Sequence, residues 1–252
     1  MKKLFITFLL LLSLTLTSNT FSQNIFDFKY SINDISAQRE LFKSAKVKSA
    51  VIKDNSDFDE KITFDKEGKI IEKLSYQSGD EDSPDGKSIY EYDLSGNLIL
   101  IRSESGDFSE PTILTYDENG NIINFKCEEY EMNYFYSDKN EMTHSEILNQ
   151  VIEVLPIESV IYEAGLIQET KSDCWDKGVD APYTYSKTKY IYDSENRVSD
   201  IIWLYGNCKT DTEKILFEQI IEYNEKNLPV RVVFNDNSGN KEIQTIRYNY
   251  FD

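Results

Sequence analysis

Tyr90-Glu91-Tyr92-Asp93-Leu94-Ser95-Gly96-Asn97-Leu98-Ile99 decides the fold of this chain, because its pattern returns. Tyr116-Asp117-Glu118-Asn119-Gly120-Asn121-Ile122-Ile123 keeps the same chemistry. Weaker copies begin at Phe64-Asp65, Tyr136-Ser137, Tyr162-Glu163, Tyr192-Asp193 and Tyr223-Asn224. Internal repetition of this kind means an array of one supersecondary unit.

Each unit reads as a β-hairpin. Side chains alternate along a strand, so Tyr90 and Tyr92 share a face. Asp93 opens the turn, where its carboxylate can accept a backbone N–H from two residues on. Gly96 supplies the positive φ of a longer hairpin loop with a bulge, and Leu98 begins the return strand. The glycine is the stringent position. Gly68, Gly96, Gly120 and Gly165 fill it in four units, and Asn140, Asn196 and Asn227 in three others. Asparagine is the usual substitute for glycine in left-handed backbone, which supports one shared turn geometry. The unit at Tyr162 is shorter, so a different turn is expected there.

The same alternation predicts further strands. Val47 to Lys53 starts the sheet, Lys189 to Tyr192 runs in, and Val198 to Tyr205 runs out. Phe217, Gln219, Ile221 and Tyr223 share a face, as do Val230, Val232 and Phe234. Pro229 opens its strand, where a missing N–H is tolerated, and Ile243 to Tyr250 reads as a closing strand. Asn33 or Asp34 caps a short predicted helix over Ile35 to Ala45. Long polar links lie at Gln77 to Lys87, Ser103 to Glu110 and Ser172 to Pro182, and project from one end of the sheet. The expected fold is all-β: a twisted antiparallel meander, an open curved sheet of repeated hairpins with one short N-terminal helix. No boundary divides residues 23–252, which are expected to form a single domain.

Residues 1–22 read as an export signal. Lys2 and Lys3 precede an apolar run from Leu4 to Leu12, and Ser18, Thr20 and Ser22 stand before a cut at Gln23. The run is short for a bilayer span, and no later stretch is apolar enough to cross one. A periplasmic or cell-surface location is expected. The formal net charge of −18 repels phosphate backbones and argues against a nucleic-acid partner. An aromatic share of 13%, with 17 tyrosines, argues against disorder despite that charge.

Three cysteines follow the leader. Cys174 and Cys208 each come after an outgoing strand in successive units, so their loop ends could meet as a disulfide in an oxidising compartment. Three separate thiols, Cys127 included, fit the sequence as well. No zinc spacing is present, and His144 is the only histidine. It stands in Met142-Thr143-His144-Ser145 without a nucleophile motif nearby. Phosphate-binding glycine loops and dinucleotide fingerprints are absent. The 45 acidic residues make carboxylate pairs too common to signal a glycosidase. Two acidic clusters, Asp54, Asp57, Asp59 and Glu60, and Asp80, Glu81, Asp82 and Asp85, lack the spacing and glycine of a calcium loop. No catalytic residue, metal or cofactor is therefore assigned. The candidate binding residues are Trp175, Tyr183 and Tyr185, aromatics within one long polar link, where they can stack on a sugar or anchor a protein.

Tyr-x-Tyr-Asp-x-x-Gly-Asn-Leu, from Tyr90 to Leu98, resembles the YD repeat of the Rhs and teneurin group. The resemblance covers roughly residues 60 to 250 and is close at Tyr92 and Tyr116. It implies hairpins that join into a long curling sheet, and the chain is similar to short exported bacterial proteins of that type. Unit spacing is irregular and the length is modest for a closed shell, so a toxin-delivery role is not implied. The expected function is a non-catalytic binding or scaffolding module of the cell envelope, with a protein or glycan as partner. Two rivals are a carrier of a lipid or other apolar ligand on the curved sheet, and an acidic inhibitor of a basic enzyme or toxin.

Overall fold

The computed structural model describes residues 39–53, 59–76, 83–104, 110–150, 157–172, 174 and 184–252. Sixteen strands follow one another: β1 (Val47–Lys53), β2 (Asp59–Phe64), β3 (Ile70–Tyr76), β4 (Gly86–Tyr92), β5 (Leu98–Ser103), β6 (Thr112–Tyr116), β7 (Ile122–Lys126) and β8 (Tyr130–Tyr136). They continue as β9 (Met142–Gln150), β10 (Ile157–Glu163), β11 (Leu166–Ser172), β12 (Thr184–Tyr192), β13 (Val198–Asn207), β14 (Thr212–Tyr223), β15 (Pro229–Asp236) and β16 (Lys241–Tyr250). All belong to one antiparallel sheet, and successive strands are neighbours. The sheet curves further than a strip. β16 pairs with β1, Ile246 opposite Ile52 and Tyr248 opposite Ala50. The two ends of the ladder, β9 and β10, lie side by side. Sixteen strands thus curl nearly into a barrel.

A meander of this kind puts alternate connections at opposite ends. The turn end carries residues 65–69, 93–97, 117–121, 137–141, 164–165, 193–197 and 224–228. The link end carries the rest, including 77–85, 104–111 and 173–183.

At the turn end, backbone geometry explains the repeat. Gly68, Gly96, Gly120 and Gly165 have φ of 76°, 87°, 84° and 81°, and Asn140, Asn196 and Asn227 have 65°, 59° and 60°. In the Asp93 turn, Gly96 N–H donates to Asp93 O at 3.0 Å and Asp93 N–H to Asn97 O at 2.9 Å. The carboxylate closes the loop: Asp93 Oδ1 accepts Asn97 N–H at 2.7 Å, and Oδ2 accepts the Asn97 side-chain amide at 3.0 Å. Asp117 and Asn121 repeat both contacts. Arg197 takes the asparagine's place, donating Nε to Asp193 Oδ2 at 2.7 Å. The short unit turns through Ala164 and Gly165, both with positive φ, as in a two-residue primed turn.

A bulge falls just before the motif tyrosine, between Glu91 and Tyr92, Thr115 and Tyr116, and Glu222 and Tyr223. Strand alternation divides the aliphatic pairs that follow Gly96-Asn97 and Gly120-Asn121 between the two faces. Leu98 and Ile122 turn inward and are 0% and 3% exposed, whereas Ile99 and Ile123 turn out, at 36% and 37%.

The helical residues 39–44 pack at the turn end. The helix ends with Lys46 at φ 57°, Ala45 N–H bonding Leu41 O at 3.0 Å. Phe42 packs against Phe64 with centroids 4.5 Å apart and ring planes tilted by 38°, and Arg39 donates to Gly96 O at 3.2 Å. A Cβ at Gly68 would lie 2.2 Å from the Arg39 carbonyl oxygen, so this glycine serves both the turn and the helix contact. The core runs from Phe42 through Ala50, Ile52, Ile62 and Phe64 to Leu98, Leu114 and Ile122, and on the other side to Val232 and Ile246.

Candidate functional site

The inner face begins with a girdle of phenols. Tyr92 donates its hydroxyl to Ile70 O at 2.9 Å, Tyr116 to Leu98 O at 2.7 Å, and Tyr136 to Ile122 O at 2.9 Å. Tyr192, Tyr223 and Tyr248 bond Ile167 O, Val198 O and Pro229 O at 2.7 Å each. Each of these tyrosines thereby reaches the start of the return strand of the hairpin before it, at its first residue in five cases and at its second, Ile167, for Tyr192. Tyr162 differs: its hydroxyl accepts Met142 N–H at 3.0 Å. Burial pushes the phenols of Tyr92, Tyr116, Tyr136 and Tyr248 well above the ordinary tyrosine range, so they stay protonated donors. Phe64 fills the position in the first hairpin, where the helix supplies Phe42 instead of a carbonyl. The sequence reading put Tyr90 and Tyr92 on one face but missed the acceptors; the available signal was the hydroxyl kept in every copy but that one.

Farther along the inner face the wall is polar. Glu60 stands opposite Ile52 in β2 and is 3% exposed; Lys73 bonds it at 3.4 Å. Glu60 is thus a buried strand residue, not part of an acidic loop. Gln219 and Gln244 lie opposite Phe234 and Val232 and are 1% and 2% exposed. Thr170, Ser172 and Thr184 are buried as well.

At the link end, Cys174 and Cys208 are joined by a disulfide, S–S 2.02 Å. It fastens the link 173–183 to the neighbouring turn after β13. Tyr185 lies within β12 and is buried. Its ring covers Gly206, where a Cβ would meet Cζ at 2.0 Å, so only glycine fits. Its hydroxyl donates to Glu213 Oε1 at 2.9 Å, and Lys171 Nζ sits 4.4 Å from the ring centroid. Lys187 bridges Glu213 and Glu169 at 2.5 and 3.4 Å. That hydrogen bond from Lys187 holds the Glu213 carboxyl below its ordinary range, while desolvation, then the bond to Glu213, pushes the Tyr185 phenol up. Tyr185 therefore organises the base of the links. Trp175 and Tyr183 lie outside the described residues, as do Asp54, Asp57, Asp80, Glu81 and Asp82.

His144 is stacked on Phe135, centroids 4.5 Å apart and planes 4° from parallel, with Nδ1 2.9 Å from Thr143 Oγ1. Among the described residues no group of three histidine, cysteine or acidic side chains converges as a metal site. No described helix is long and apolar enough to cross a membrane. Cys127 is a free thiol, pushed up by burial.

A family model described as Teneurin YD-shell matches residues 12–151, more than half of the chain. No curated protein matches. Beyond the matched stretch, Tyr192 and Tyr223 keep the same carbonyl contacts, so the repeat geometry continues through the second half.

Proposed function

Because the chain belongs to the teneurin YD-shell family, we propose that it is an exported, non-catalytic module that binds a protein or glycan of the cell envelope through its link end. In this proposal residues 1–22 direct export and 23–252 act as one domain. The family is one of structural shells and not a known catalytic fold. One observation carries the assignment: the two ends of the barrel are built differently. The turn end is closed by short, nearly identical loops and a helix. The link end carries connections of unequal length, three of them long (77–85, 104–111 and 173–183), the last tied down by Cys174–Cys208. Variable loops on a rigid scaffold are where binding surfaces concentrate, and a structural disulfide suits an oxidising compartment. The polar wall of Glu60, Lys73, Gln219 and Gln244 weighs against an apolar cargo inside.

The test compares capture from an envelope fraction, and on a glycan array, by the mature protein and by variants. One variant replaces residues 77–85 and 104–111 with short Asn-Gly turns; another substitutes Glu118 and Lys139 at the turn end. Capture lost only in the link-end variant supports the proposal. Capture lost only in the turn-end variant, or catalytic turnover abolished by a single carboxylate substitution, overturns it.

A further inference from the structure

Around the ring, consecutive strands share backbone ladders, except that β9 and β10 share none among the described residues. Two side chains hold this seam instead. Tyr162 takes the Met142 N–H at 3.0 Å, and Ser145 Oγ takes the Ile157 N–H at 2.8 Å. N–H groups alternate sides along a strand except where a bulge intervenes; the register shift at Thr143 turns those of His144 and Glu146 toward β8, so the N–H groups of Ser145 and Ile147 are aimed into the seam with that of Met142. Sheet edges with free backbone groups are templates for another strand.

Side chains define what such a strand would be. Leu148 on β9 and Ile161 on β10 are 55% and 53% exposed. Glu146, Glu158 and Glu163 are exposed and form no ion pair among the described residues. Neither β9 nor β10 contains a lysine or arginine. On the inner side lie Ser145, Ile147, Val160 and Tyr162, opposite the buried or half-buried Tyr134, Met132, Thr170 and Ile167. A second copy of this chain would bring the same acidic edge and be repelled.

We infer that the β9–β10 seam accepts an extended segment of a partner protein, basic on its outward side chains and apolar on its inward ones, as an additional strand. Insertion widens the β9–β10 spacing to about 9.6 Å, twice the usual strand separation. It exchanges two side-chain bonds for backbone bonds along both edges. This surface is distinct from the link end, and neither proposal depends on the other.

The probe is a synthetic peptide of about eight residues alternating lysine and valine, a common strand length, added to the intact oxidised protein. Hydrogen exchange is expected to slow about tenfold or more at Met142, Ser145 and Ile147, with β5 unchanged. The double variant Glu146→Lys/Glu163→Lys, both on exposed positions, is expected to weaken binding about tenfold with an unchanged urea midpoint. A peptide alternating lysine and proline keeps the charge but cannot pair, and is expected not to protect the seam. Absent or evenly spread protection, equal action of the proline peptide, or seam protection from dimerisation without peptide would each overturn the inference. Should the double variant fold poorly, the exchange map and the proline control still decide.

Discussion

Tyr116→Phe removes one oxygen atom and tests whether the phenol girdle holds neighbouring hairpins together. The hydroxyl donates to Leu98 O at 2.7 Å, and Leu98 is 0% exposed, so no water replaces the lost donor easily. A neutral hydrogen bond contributes about 1 kcal/mol net, and a buried carbonyl left without its partner costs about 1–3 kcal/mol. The expected loss is about 1–2 kcal/mol. In a domain of this size that lowers the melting temperature by about 2–4 °C per kcal/mol. Urea unfolding should show a lower midpoint at an unchanged slope, since the area exposed on unfolding hardly alters. Tyr250→Phe is the control. That ring is 38% exposed, and its contact with Lys226 Nζ, 3.6 Å from the centroid, survives the loss of the hydroxyl. Tyr116→Phe and Tyr223→Phe sit in separate hairpins and should add within about 0.5 kcal/mol. If Tyr116→Phe proves no more destabilising than Tyr250→Phe, the girdle is packing alone and the hydrogen-bonding account is wrong.

Other perturbations act on separate parts of the frame. The girdle phenols have folded-state pKa values raised by burial, so their stabilisation is complete below about pH 10, the unfolded tyrosine value, and is lost as pH climbs above it; urea midpoints between pH 8 and 11 should fall accordingly. The turn aspartates shift the other way: the Asn97 backbone N–H lowers Asp93, and the Ser238 hydroxyl lowers Asp236 to about 2. Their contribution is present above about pH 4 and fades as pH drops toward 2; the effect should be modest because these groups are solvated, and Asp236→Asn should flatten that part of the pH profile. Gly120→Ala has open space for its Cβ and should cost only about 1 kcal/mol for left-handed backbone, whereas Gly68→Ala collides with the Arg39 carbonyl and should cost clearly more, both read by urea unfolding. Reducing Cys174–Cys208, which closes a sequence separation of 34, should remove up to about 4 kcal/mol by the chain-entropy relation, checked by unfolding with and without reductant.

The hairpins were legible because the turn chemistry is local. Asp93, Gly96 and Asn97 contact one another across four residues, and glycine or asparagine at φ near 60–87° marks each turn. The boundaries Val47–Lys53 of β1 followed from local alternation. One motif escaped: Asp236-Asn237-Ser238-Gly239-Asn240 makes the same carboxylate-to-amide contact at 2.8 Å with Gly239 at φ 87°. No tyrosine precedes it, and it joins β15 to β16 at the opposite end. The phenol acceptors were hidden because a bulge, not the sequence, sets which carbonyl comes within reach. Tyr185 looked like part of a loop because its role depends on Gly206 and Glu213, contributed by two other strands.

Closure of the ring joins residues that no repeat detection relates, since Tyr248 pairs with Ala50 across nearly the whole described chain. β16 and β1 make a hairpin without a turn: Tyr248 bonds Pro229 O as its counterparts do, and Phe251 N–H bonds Lys46 O at 2.8 Å where a loop would stand. A stacked array normally needs special end units to cover exposed faces. Here the first and last strands cover each other, and the unsatisfied position moves elsewhere. It falls where the motif is weakest. The hairpin β10–β11 has lost the Asp-x-x-Gly turn for Ala164-Gly165, and the hairpin before it opens on Ser137 in place of aspartate. Between those two units Tyr162 meets an N–H where every other girdle tyrosine meets a carbonyl, and the backbone ladder is missing among the described residues. Degeneracy of the repeat and the break in the barrel wall therefore coincide. Turn chemistry fixes the register of each hairpin and register brings the next phenol to its carbonyl: after the altered turn at Ala164-Gly165, Tyr192 meets Ile167, one residue beyond the first of the return strand.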